Sequence, residues 1–578
     1  MIRTSDPRLR RLLVVSALAP LVVFAPGVGN DFVDWDDNLN FVTNPYYRGL
    51  GWTELRWMLT ATVTGHYIPV TWMTLGLDYV LWGMNPAGYH LTNLVLHALN
   101  TVAFALIAIR LLRLARPRTG ETALWAGTVT AALFFSLHPL RAETVAWVTE
   151  RRGLLSAFFT LVTALTYVRM AAAEGAPRRR WLAVSVGSYA MALASKAAVV
   201  PLPLVLLLMD VYPLGRLPAR WRAWGAPEAR AVWREKVPYA LLAAVAAAVA
   251  LAVNHARAIS APIESYPPSS RLAMLAYGLT FYVQRTVAPV GLSPLYELPA
   301  HVGPLDPPFL ASTVVVVLLT VALGLLRRRW PAGLALWITY ALLLVPVSGV
   351  FQAGHQLVAD RYSYLSCLPW ALLLGAAVGA TLDAATSGRL RRPFAAVAIG
   401  VVAVWITGLA SLTWFQVQIW RDSGTLWRSA LDSDPACVLC YNQLGAVLGN
   451  RGDSGSAVYY FERALALRPN DAGLHGNLGL ALLKTGRPSE AVPHFVRALE
   501  LNSTDVETRV HLGVALILGG RVGEAAAELR QAVARSPGHA RARYELARAY
   551  LVQGDRVAAE EQAQALRRLD PRLARELR

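Results

Sequence analysis

Residues 88–109 have the sequence GYHLTNLVLHALNTVAFALIAI, a run without Asp, Glu, Lys or Arg. A helix that crosses the hydrocarbon core of a bilayer needs about 20 predominantly apolar residues. The run therefore predicts a transmembrane helix. It decides the fold class, because similar runs recur over the first 416 residues of the chain.

The apolar runs predict an all-α, polytopic transmembrane bundle with about eleven spans. Their approximate positions are 11–28, 88–109, 123–140, 153–171, 181–195, 197–213, 238–255, 308–326, 331–350, 363–382 and 394–415. The two runs at 181–195 and 197–213 are short for a span. A further stretch, 271–290, contains Arg285 and Pro289, and we expect it to lie along the membrane surface.

Composition supports a membrane protein. Of 578 residues, 55% are hydrophobic and 16% are charged, whereas a soluble globular protein has about 25% charged residues. Three cysteines exclude a disulfide framework and a zinc-finger array. The formal net charge of +18 would fit a nucleic-acid-binding protein only if it formed one basic surface.

The basic residues instead predict the orientation of the chain. They cluster at Arg8–Arg11, Arg110–Arg118, Arg178–Arg180, Arg216–Lys236, Arg327–Arg329 and Arg389–Arg392. With eleven crossings, all of these clusters fall on the side of the N-terminus. Because basic loops are retained in the cytoplasm, we predict a cytoplasmic N-terminus and an outer C-terminal tail, and we expect no nucleic-acid partner. The excess of Arg over Lys and the Ala-rich helices favour a bacterial inner-membrane protein with a periplasmic tail.

The tail repeats itself every 34 residues. The matching positions are Leu444-Gly445, Leu478-Gly479, Leu512-Gly513 and Leu546-Ala547, with Ala457, Ala491, Ala525 and Ala559 in a second phase. This is the tetratricopeptide pattern, in which helix–turn–helix units stack into an α-solenoid with a concave groove. We predict a membrane domain at 1–416, a linker at 417–439 and four repeats at 440–578. A rigid spacer is the alternative to a groove that binds exported proteins, and the groove is favoured.

Cys437 and Cys440 precede the first repeat as Cys-Val-Leu-Cys. No thioredoxin-type context surrounds them, which disfavours redox catalysis. A local disulfide and simple packing remain open, with packing favoured. Cys367 lies alone within a predicted span and is expected to pack in the core.

The first outer loop, residues 29–86, contains the densest group of acids in the chain. Its sequence Asp31-Phe-Val-Asp34-Trp-Asp36-Asp37 directly follows the first span. Neighbouring carboxylates repel when ionised, which raises one pKa and prepares a general base. Such a group can also bind a divalent cation or a cationic partner. A solvated acidic loop that only helps to orient the chain is the structural alternative.

Basic residues on the predicted outer side are few, and these oppose the overall charge bias. Those singled out as candidate ligands are Arg141, Arg151, Arg152, Lys196 and Arg361. Guanidinium and ammonium groups held at a membrane surface are natural ligands for a phosphate group. Local pairs, Arg141 with Glu143 and Asp360 with Arg361, are the structural alternative.

The second span carries a polar stripe. His90, Asn93, His97 and Asn100 follow one another at steps of three, four and three, which places them on one face of the helix. Hydrogen bonds to neighbouring helices are the favoured role, and substrate contact is the alternative.

An outer surface with carboxylates near Asp36 and cations at several places suits an anionic, lipid-linked donor. These features resemble the C-type-fold glycosyltransferases, and more closely the transmembrane-and-tetratricopeptide protein O-mannosyltransferases and their bacterial relatives. The segments that carry the resemblance are Trp35-Asp36-Asp37 with Asn44-Pro45, Gly88-Tyr89-His90 with Asn93, His97 and Asn100, His138-Pro139 with Glu143, Ser195-Lys196, Gly291-Leu292-Ser293-Pro294, and Asp360-Arg361-Tyr362 with Tyr364.

The resemblance implies transfer of a sugar, mannose, from a polyprenyl phosphate to a hydroxyl of an exported protein. It places the essential acid at Asp36, with Asp37 as its neighbour; the family often has Glu at the second position. For the donor phosphate it points to Lys196, Arg361, Arg141 and Arg152. His90, His138, Glu143 and Asp360 are supporting residues. No His/Asp spacing requires a metal, but metal dependence varies across the wider fold, so a divalent cation stays open.

Two alternatives remain at the level of sequence. A polysaccharide polymerase or O-antigen-type ligase can also carry outer repeats, although such proteins depend on a very large late outer loop. A non-catalytic envelope scaffold or lipid transporter would use the repeats for assembly only. The acid-rich first loop favours the mannosyltransferase.

Overall fold

The computed structural model describes residues 6–256, 266–351 and 354–577. The chain forms two compact units, Met1–Leu426 and Trp427–Arg578. As predicted, the described residues are overwhelmingly helical, with a single pair of very short strands.

The first unit contains the long apolar helices. In chain order its α-helices are α1 (Pro7–Val23), α2 (Trp52–Thr60), α3 (Pro69–Trp82), α4 (Pro86–Ala115), α5 (Glu121–Ser136), α6 (Ala142–Ala146), α7 (Arg151–Ala171), α8 (Gly175–Ser195), α9 (Leu202–Val211), α10 (Arg230–Ala256), α11 (Pro268–Val287), α12 (Pro307–Leu326), α13 (Pro331–Leu344), α14 (Ser363–Ser366), α15 (Leu368–Thr386) and α16 (Arg392–Gln418). Helix α17 (Ser423–Ser433) contains the boundary between the units.

Each predicted span corresponds to one of these helices. Among the described residues, seven helices are long and apolar enough to cross a membrane, or eight if the bent pair α5 and 139–146 is one span. The predicted spans outside this set correspond to α1, α8 and α9, which are shorter or more polar. The stretch 271–290, expected to lie along the membrane surface, forms α11, which is not among the candidate spans. Its residues Leu279 and Tyr282 are buried in a cluster with residues of α12 and α13.

The third predicted span ends earlier than the apolar run that predicts it. Helix α5 ends at Ser136, and the chain turns by 54° into residues 139–146. The cause is local: a residue that precedes proline is disfavoured in the α-conformation, and His138, before Pro139, is extended. The turn directs Glu143 and the following residues away from the axis of α5.

Helices α5 and α15 approach each other closely at glycine. A Cβ added to Gly375 would lie 2.3 Å from the carbonyl oxygen of Gly127, and one added to Gly127 would lie 2.4 Å from that of Gly375. Only glycine on both helices permits this contact. The close approach fixes the helix that carries the Asp360–Cys367 segment at its N-terminal end.

Two short strands connect distant parts of the first unit. Strand β1 (Tyr296–Glu297) pairs antiparallel with β2 (Gln356–Val358), with Tyr296 opposite Val358 and Glu297 opposite Gln356. The pairing brings Tyr296 beside the turn that starts at Asp360.

The second unit is a stack of helix pairs. Its helices are α18 (Val438–Asn450), α19 (Ser454–Leu467), α20 (Ala472–Lys484), α21 (Pro488–Leu501), α22 (Val506–Leu518), α23 (Val522–Arg535), α24 (Ala540–Gln553), α25 (Arg556–Leu569) and α26 (Pro571–Arg575). The first eight are four antiparallel pairs, so the repeat prediction is confirmed. The repeated glycine packs against the second helix of its pair, as Gly479 does against Phe495.

Cys437 and Cys440 form a disulfide at the start of α18, so the expectation of simple packing is wrong here. Their separation by one helical turn brings the two side chains onto the same side, where they can be joined. Cys367 is a free, buried cysteine, as expected.

Candidate functional site

Asp37 attaches the loop of residues 29–86 to the turn before α7. One carboxylate oxygen, Oδ1, accepts from the backbone N–H and the hydroxyl of Thr149, at 3.1 and 2.6 Å. The other, Oδ2, accepts from the N–H of Val33 at 3.0 Å. The side chain is fully buried, and burial raises its pKa to about 7. Asp37 is thus built into the protein and holds the loop in place.

Asp36 is placed differently from its neighbour. Its side chain is half-buried, and in the part of the chain that the structure describes its carboxylate has no hydrogen-bond or ion-pair partner. Its carbonyl accepts from Asn40 at 2.9 Å, in the turn that leads into residues 38–42. Next to it, the ring of Trp35 lies 5.4 Å from that of Trp147. Asp36 is therefore accessible to a ligand. Its neighbour Trp35 places it close to the segment of residues 147–150.

Glu150 collects three of the four cations that the sequence predicts for a phosphate. Lys196 Nζ lies 2.7 Å from Oε2, Arg152 Nε lies 3.1 Å from Oε1, and Arg361 Nε lies 3.9 Å from Oε1. The Glu150 side chain is only 1% exposed, whereas that of Lys196 is 20% exposed. Sequence reasoning did not select Glu150, because nothing local indicates that residues 152, 196 and 361 meet there.

Arg361 connects this group to the bent segment after α5. Its backbone N–H donates to Glu143 Oε2 at 2.7 Å, and its guanidinium pairs with Glu143 Oε1. The same guanidinium lies over the ring of Trp147, 5.4 Å from the centroid. Neither local pair considered from the sequence forms, since Glu143 binds Arg361 and not Arg141. We call Glu143, Glu150, Arg152, Lys196 and Arg361 the Glu150 cluster.

A narrow cleft opens at this cluster. Its polar lining includes Glu150, Lys196, Arg361, Thr144 and Ser156, and its apolar lining includes Ala198, Val199, Leu343, Val347 and Leu365. Gly153, also in the wall, has no room for a side chain, because a Cβ would lie 2.6 Å from Glu150 Oε2. A lining that combines cations with aliphatic residues suits an amphiphilic, anionic ligand.

His66, from the loop of residues 29–86, also belongs to this region. Burial and the neighbouring charges of Arg152 and Lys196 lower its pKa, although part of its ring faces solvent. Its own sequence context, Thr64-Gly-His66-Tyr, carries no signal for this position. Only the fold brings it near the cluster.

Arg141 lies apart from the Glu150 cluster. Its guanidinium packs over the rings of Phe135 and Tyr364, 5.5 and 5.7 Å from the two centroids, and the side chain is buried. Nearby, Asp360 Oδ1 accepts from the hydroxyl of Tyr296 at 2.9 Å. Burial raises the pKa of Asp360 well above its usual range. Arg141 and Asp360 do not line the cleft, although Tyr364 does.

Arg151 has a different partner from Arg152. Its guanidinium pairs with Asp78 Oδ2 at 2.7 Å and donates to the carbonyl of Tyr89 at 2.8 Å. This buried pair links α7 to α3 and α4. Of the two adjacent arginines, Arg151 therefore holds helices together, whereas Arg152 belongs to the Glu150 cluster.

Three of the four residues in the polar stripe of α4, namely Asn93, His97 and Asn100, make hydrogen bonds to neighbouring segments, as favoured from the spacing. Asn93 donates to the carbonyls of Val145 and Trp147, both at 3.2 Å. His97 lies 2.7 Å from the Tyr364 hydroxyl, and Asn100 donates to the same hydroxyl at 3.0 Å. His90 is buried in the same helix. The stripe supports the segments that carry the cluster.

His138 also has a supporting place. Its Nδ1 accepts from the N–H of Leu140 at 3.2 Å, and its Nε2 donates to the carbonyl of Thr286 at 3.0 Å. The ring thereby fixes the bend after α5 to α11. Among the described residues, no group of three or more His, Cys, Asp or Glu side chains is arranged to hold a metal ion.

Comparison with known families supports the prediction that the second unit consists of tetratricopeptide repeats. Family models described as tetratricopeptide repeats match residues 442–506, 477–540 and 516–577. Among solved structures, YrrB, described as a TPR protein with an unusual peptide-binding site, is 29% identical. The match covers 27% of this chain and 80% of YrrB, with a TM-score of 0.25.

Curated relatives extend the similarity into the first unit. The protein O-mannosyl-transferase Tmtc3 of Drosophila melanogaster is 23% identical over 71% of this chain and 49% of the fly protein. The mouse protein O-mannosyl-transferase TMTC3 is 24% identical over 71% of this chain and 45% of its own length. The human TMTC4 is 31% identical over 35% of this chain and 29% of its own length. The chain spans about half the length of the first two relatives, and over most of its own length it distantly resembles proteins named protein O-mannosyl-transferases.

Proposed function

We propose that the chain is a membrane glycosyltransferase that moves a sugar, mannose, from a polyprenyl-phosphate donor to a hydroxyl of an exported protein. The observation that carries the proposal is the convergence of Lys196, Arg152 and Arg361 on Glu150, which lines the cleft together with Lys196 and Arg361. The loop that contains Asp36 is attached to Thr149, the residue before Glu150. The distant similarity to proteins named protein O-mannosyl-transferases supports the same activity.

The proposed reaction is a single displacement. Asp36 accepts the proton of the acceptor hydroxyl, whose oxygen forms a bond to the anomeric carbon as the bond from that carbon to the phosphate oxygen breaks. The phosphate leaves with its electron pair and remains on the polyprenyl chain. Lys196, Arg152 and Arg361 stabilise the negative charge that develops on it.

Other residues hold these groups in position. Asp37 fixes the loop that carries Asp36, and Glu143 orients Arg361 through its backbone and its guanidinium. The aliphatic lining of the cleft, with Leu343 and Leu365, would contact the first isoprene units of the donor. Arg141 is given no donor contact, because its guanidinium packs against Phe135 and Tyr364.

The repeats would bind the exported acceptor and raise its concentration at the site. This requires the N-terminus in the cytoplasm and the repeats outside, as the arginine clusters predict. The disulfide between Cys437 and Cys440 supports that orientation, because disulfides persist in oxidising compartments such as the bacterial periplasm. We place the protein in a bacterial inner membrane.

The test is transfer by the purified full chain from a polyprenyl-phosphate mannose to a protein or peptide with hydroxyl side chains. Wild type, Asp36→Asn and Lys196→Ala are compared, with and without added divalent cations. Loss of transfer in both variants, with folding retained, is expected. Transfer retained in both variants would refute the site, and glycan extension without protein modification would favour a polymerase or ligase.

A further inference from the structure

The Glu150 cluster contains more acid than a site for a phosphate alone requires. Lys196, Arg152 and Arg361 face Glu150 and Glu143, all largely buried. Three cations against two carboxylates leave one net positive charge. The adjacent His66 is exposed, and desolvation together with the neighbouring Arg152 and Lys196 lowers its pKa, so its ring adds no positive charge at pH 8.

The two carboxylates are not equivalent. Glu143 is bound by both the backbone and the side chain of Arg361, which is the arrangement of a residue that orients its partner. Glu150 lies among three cations from three separate segments, and it lines the cleft together with Lys196 and Arg361. The negative charge of Glu150 therefore mainly lowers the positive electrostatic potential of the cleft.

The reaction partners of the proposed function differ in charge. A sugar–phosphate–lipid donor is a phosphodiester and carries one negative charge. The product after transfer is a phosphate monoester, which carries about −1.5 to −2 near neutral pH. A site with one net positive charge matches the donor and not the product.

We propose that Glu150 is a specificity-determining residue that sets the charge of the cleft, so that the phosphodiester donor is preferred over the phosphomonoester product. The inference rests on the proposed function. In this arrangement Glu150 stays in place when the donor binds, and its negative charge opposes the second charge that the phosphate gains after transfer.

The test measures binding and not turnover. The full chain in lipid nanodiscs is titrated at pH 8 with undecaprenyl phosphate and with its methyl ester, which have the same lipid and differ in charge. The measured quantity is the ratio of the two dissociation constants. Because both ligands probe the same preparation, a general loss of stability cancels in this ratio.

In Glu150→Gln the ratio should shift toward the monoester by about tenfold or more, as expected for the loss of one nearby charge. Arg152→Gln removes a cation and should shift the ratio toward the diester. This variant also tests the inference if Glu150→Gln does not fold. Glu121→Gln is the matched control, since Glu121 pairs with Arg113 at an exposed position. It should leave the ratio at the wild-type value.

Two results would overturn the inference, and they are distinguishable. If wild type binds both lipids but neither cluster variant shifts the ratio, the charge of Glu150 does not set the preference and the proposed function survives. If wild type binds neither lipid, the donor site itself is refuted, and the inference fails with it.

Discussion

Thr149 donates its backbone N–H and its hydroxyl to the same carboxylate oxygen of Asp37, at 3.1 and 2.6 Å. The residue that follows Thr149 is Glu150, which holds three cations. The loop that carries the proposed base is thereby attached one residue away from the proposed phosphate site. A site that depends on two charged regions requires such a link, because small errors in position are costly in catalysis.

Asp36→Asn should reduce transfer at least about 100-fold, because a positioned general base contributes roughly 10²- to 10⁴-fold. Melting temperature and membrane insertion should be unchanged, since the described structure gives the Asp36 carboxylate no partner. The measurement is the initial rate of mannose transfer at saturating donor. Asp31→Asn, an exposed acid of the same loop, is the control. Equal transfer rates in wild type and Asp36→Asn would refute Asp36 as the base, whereas no transfer by wild type would favour a scaffold or transporter.

Thr149→Val should loosen the loop without changing charge. It removes the hydroxyl that donates to Asp37, and leaving a buried carboxylate with one donor fewer costs about 1–3 kcal/mol. The readout is faster proteolysis within residues 29–86, with the transmembrane helices protected. Thr130→Val is the control, because among the described residues the Thr130 hydroxyl bonds only to a carbonyl of its own helix. Identical cleavage rates would contradict the anchoring role.

The stability of the loop should depend on pH with a defined sign. The pKa of Asp37 is raised from 3.8 to about 7 in the folded protein, so between these values the folded state binds more protons than the unfolded state. Its stability should therefore decrease as pH rises from about 4 to 7 and level off above. Protection of loop amides from hydrogen exchange, corrected for the intrinsic pH dependence, measures this. Asp37→Asn should remove the slope, and a slope of opposite sign would show that the carboxylate is stabilised when charged.

Lys196→Met should weaken donor binding about tenfold or more, because a charge-assisted hydrogen bond to phosphate is lost. It should also lower the melting temperature, since Glu150 loses its closest partner and a buried charge without its partner is destabilising. Adding Glu150→Gln should recover the melting temperature but not the affinity for donor. Full recovery of affinity in the double variant would show that Lys196 serves only to neutralise Glu150.

Gly479→Ala should destabilise the repeats by about 1–3 kcal/mol, the usual effect of overpacking. The added Cβ would lie 2.8 Å from the ring of Phe495. Gly538→Ala is the control, because no atom lies within 4 Å of the added group. Hydrogen exchange over residues 438–569 of the full chain should increase in the first variant only. If transfer to a protein acceptor falls while transfer to a short soluble acceptor does not, the repeats bind the acceptor.

A reporter fused after residue 578 should be active outside the cytoplasm. In the same cells, Cys437 and Cys440 should react with a maleimide only after reduction, since they are joined in the structure. Cys367 is buried and should stay unreactive without denaturation. A cytoplasmic reporter together with reactive thiols would reverse the topology and with it the proposed function.

The sequence by itself determined the elements. Apolar runs of about bilayer length identify the long apolar helices of the first unit, because the hydrocarbon core selects for length and apolarity. The 34-residue period identifies the repeats, because each pair must present the same small residues to its neighbour. Even the bend after α5 has a local cause in His138-Pro139.

Only the tertiary structure decided which charges meet. Arg361 lies 218 positions from Glu143 and Lys196 lies 46 positions from Glu150, so no local pattern predicts these pairs. The nearest pairings in sequence, Arg141 with Glu143 and Asp360 with Arg361, do not form. The two adjacent acids have identical side chains, so the sequence also does not show that Asp37 is a buried anchor and Asp36 is accessible. Partners and exposure depend on how distant segments pack, and in this protein they define the candidate site.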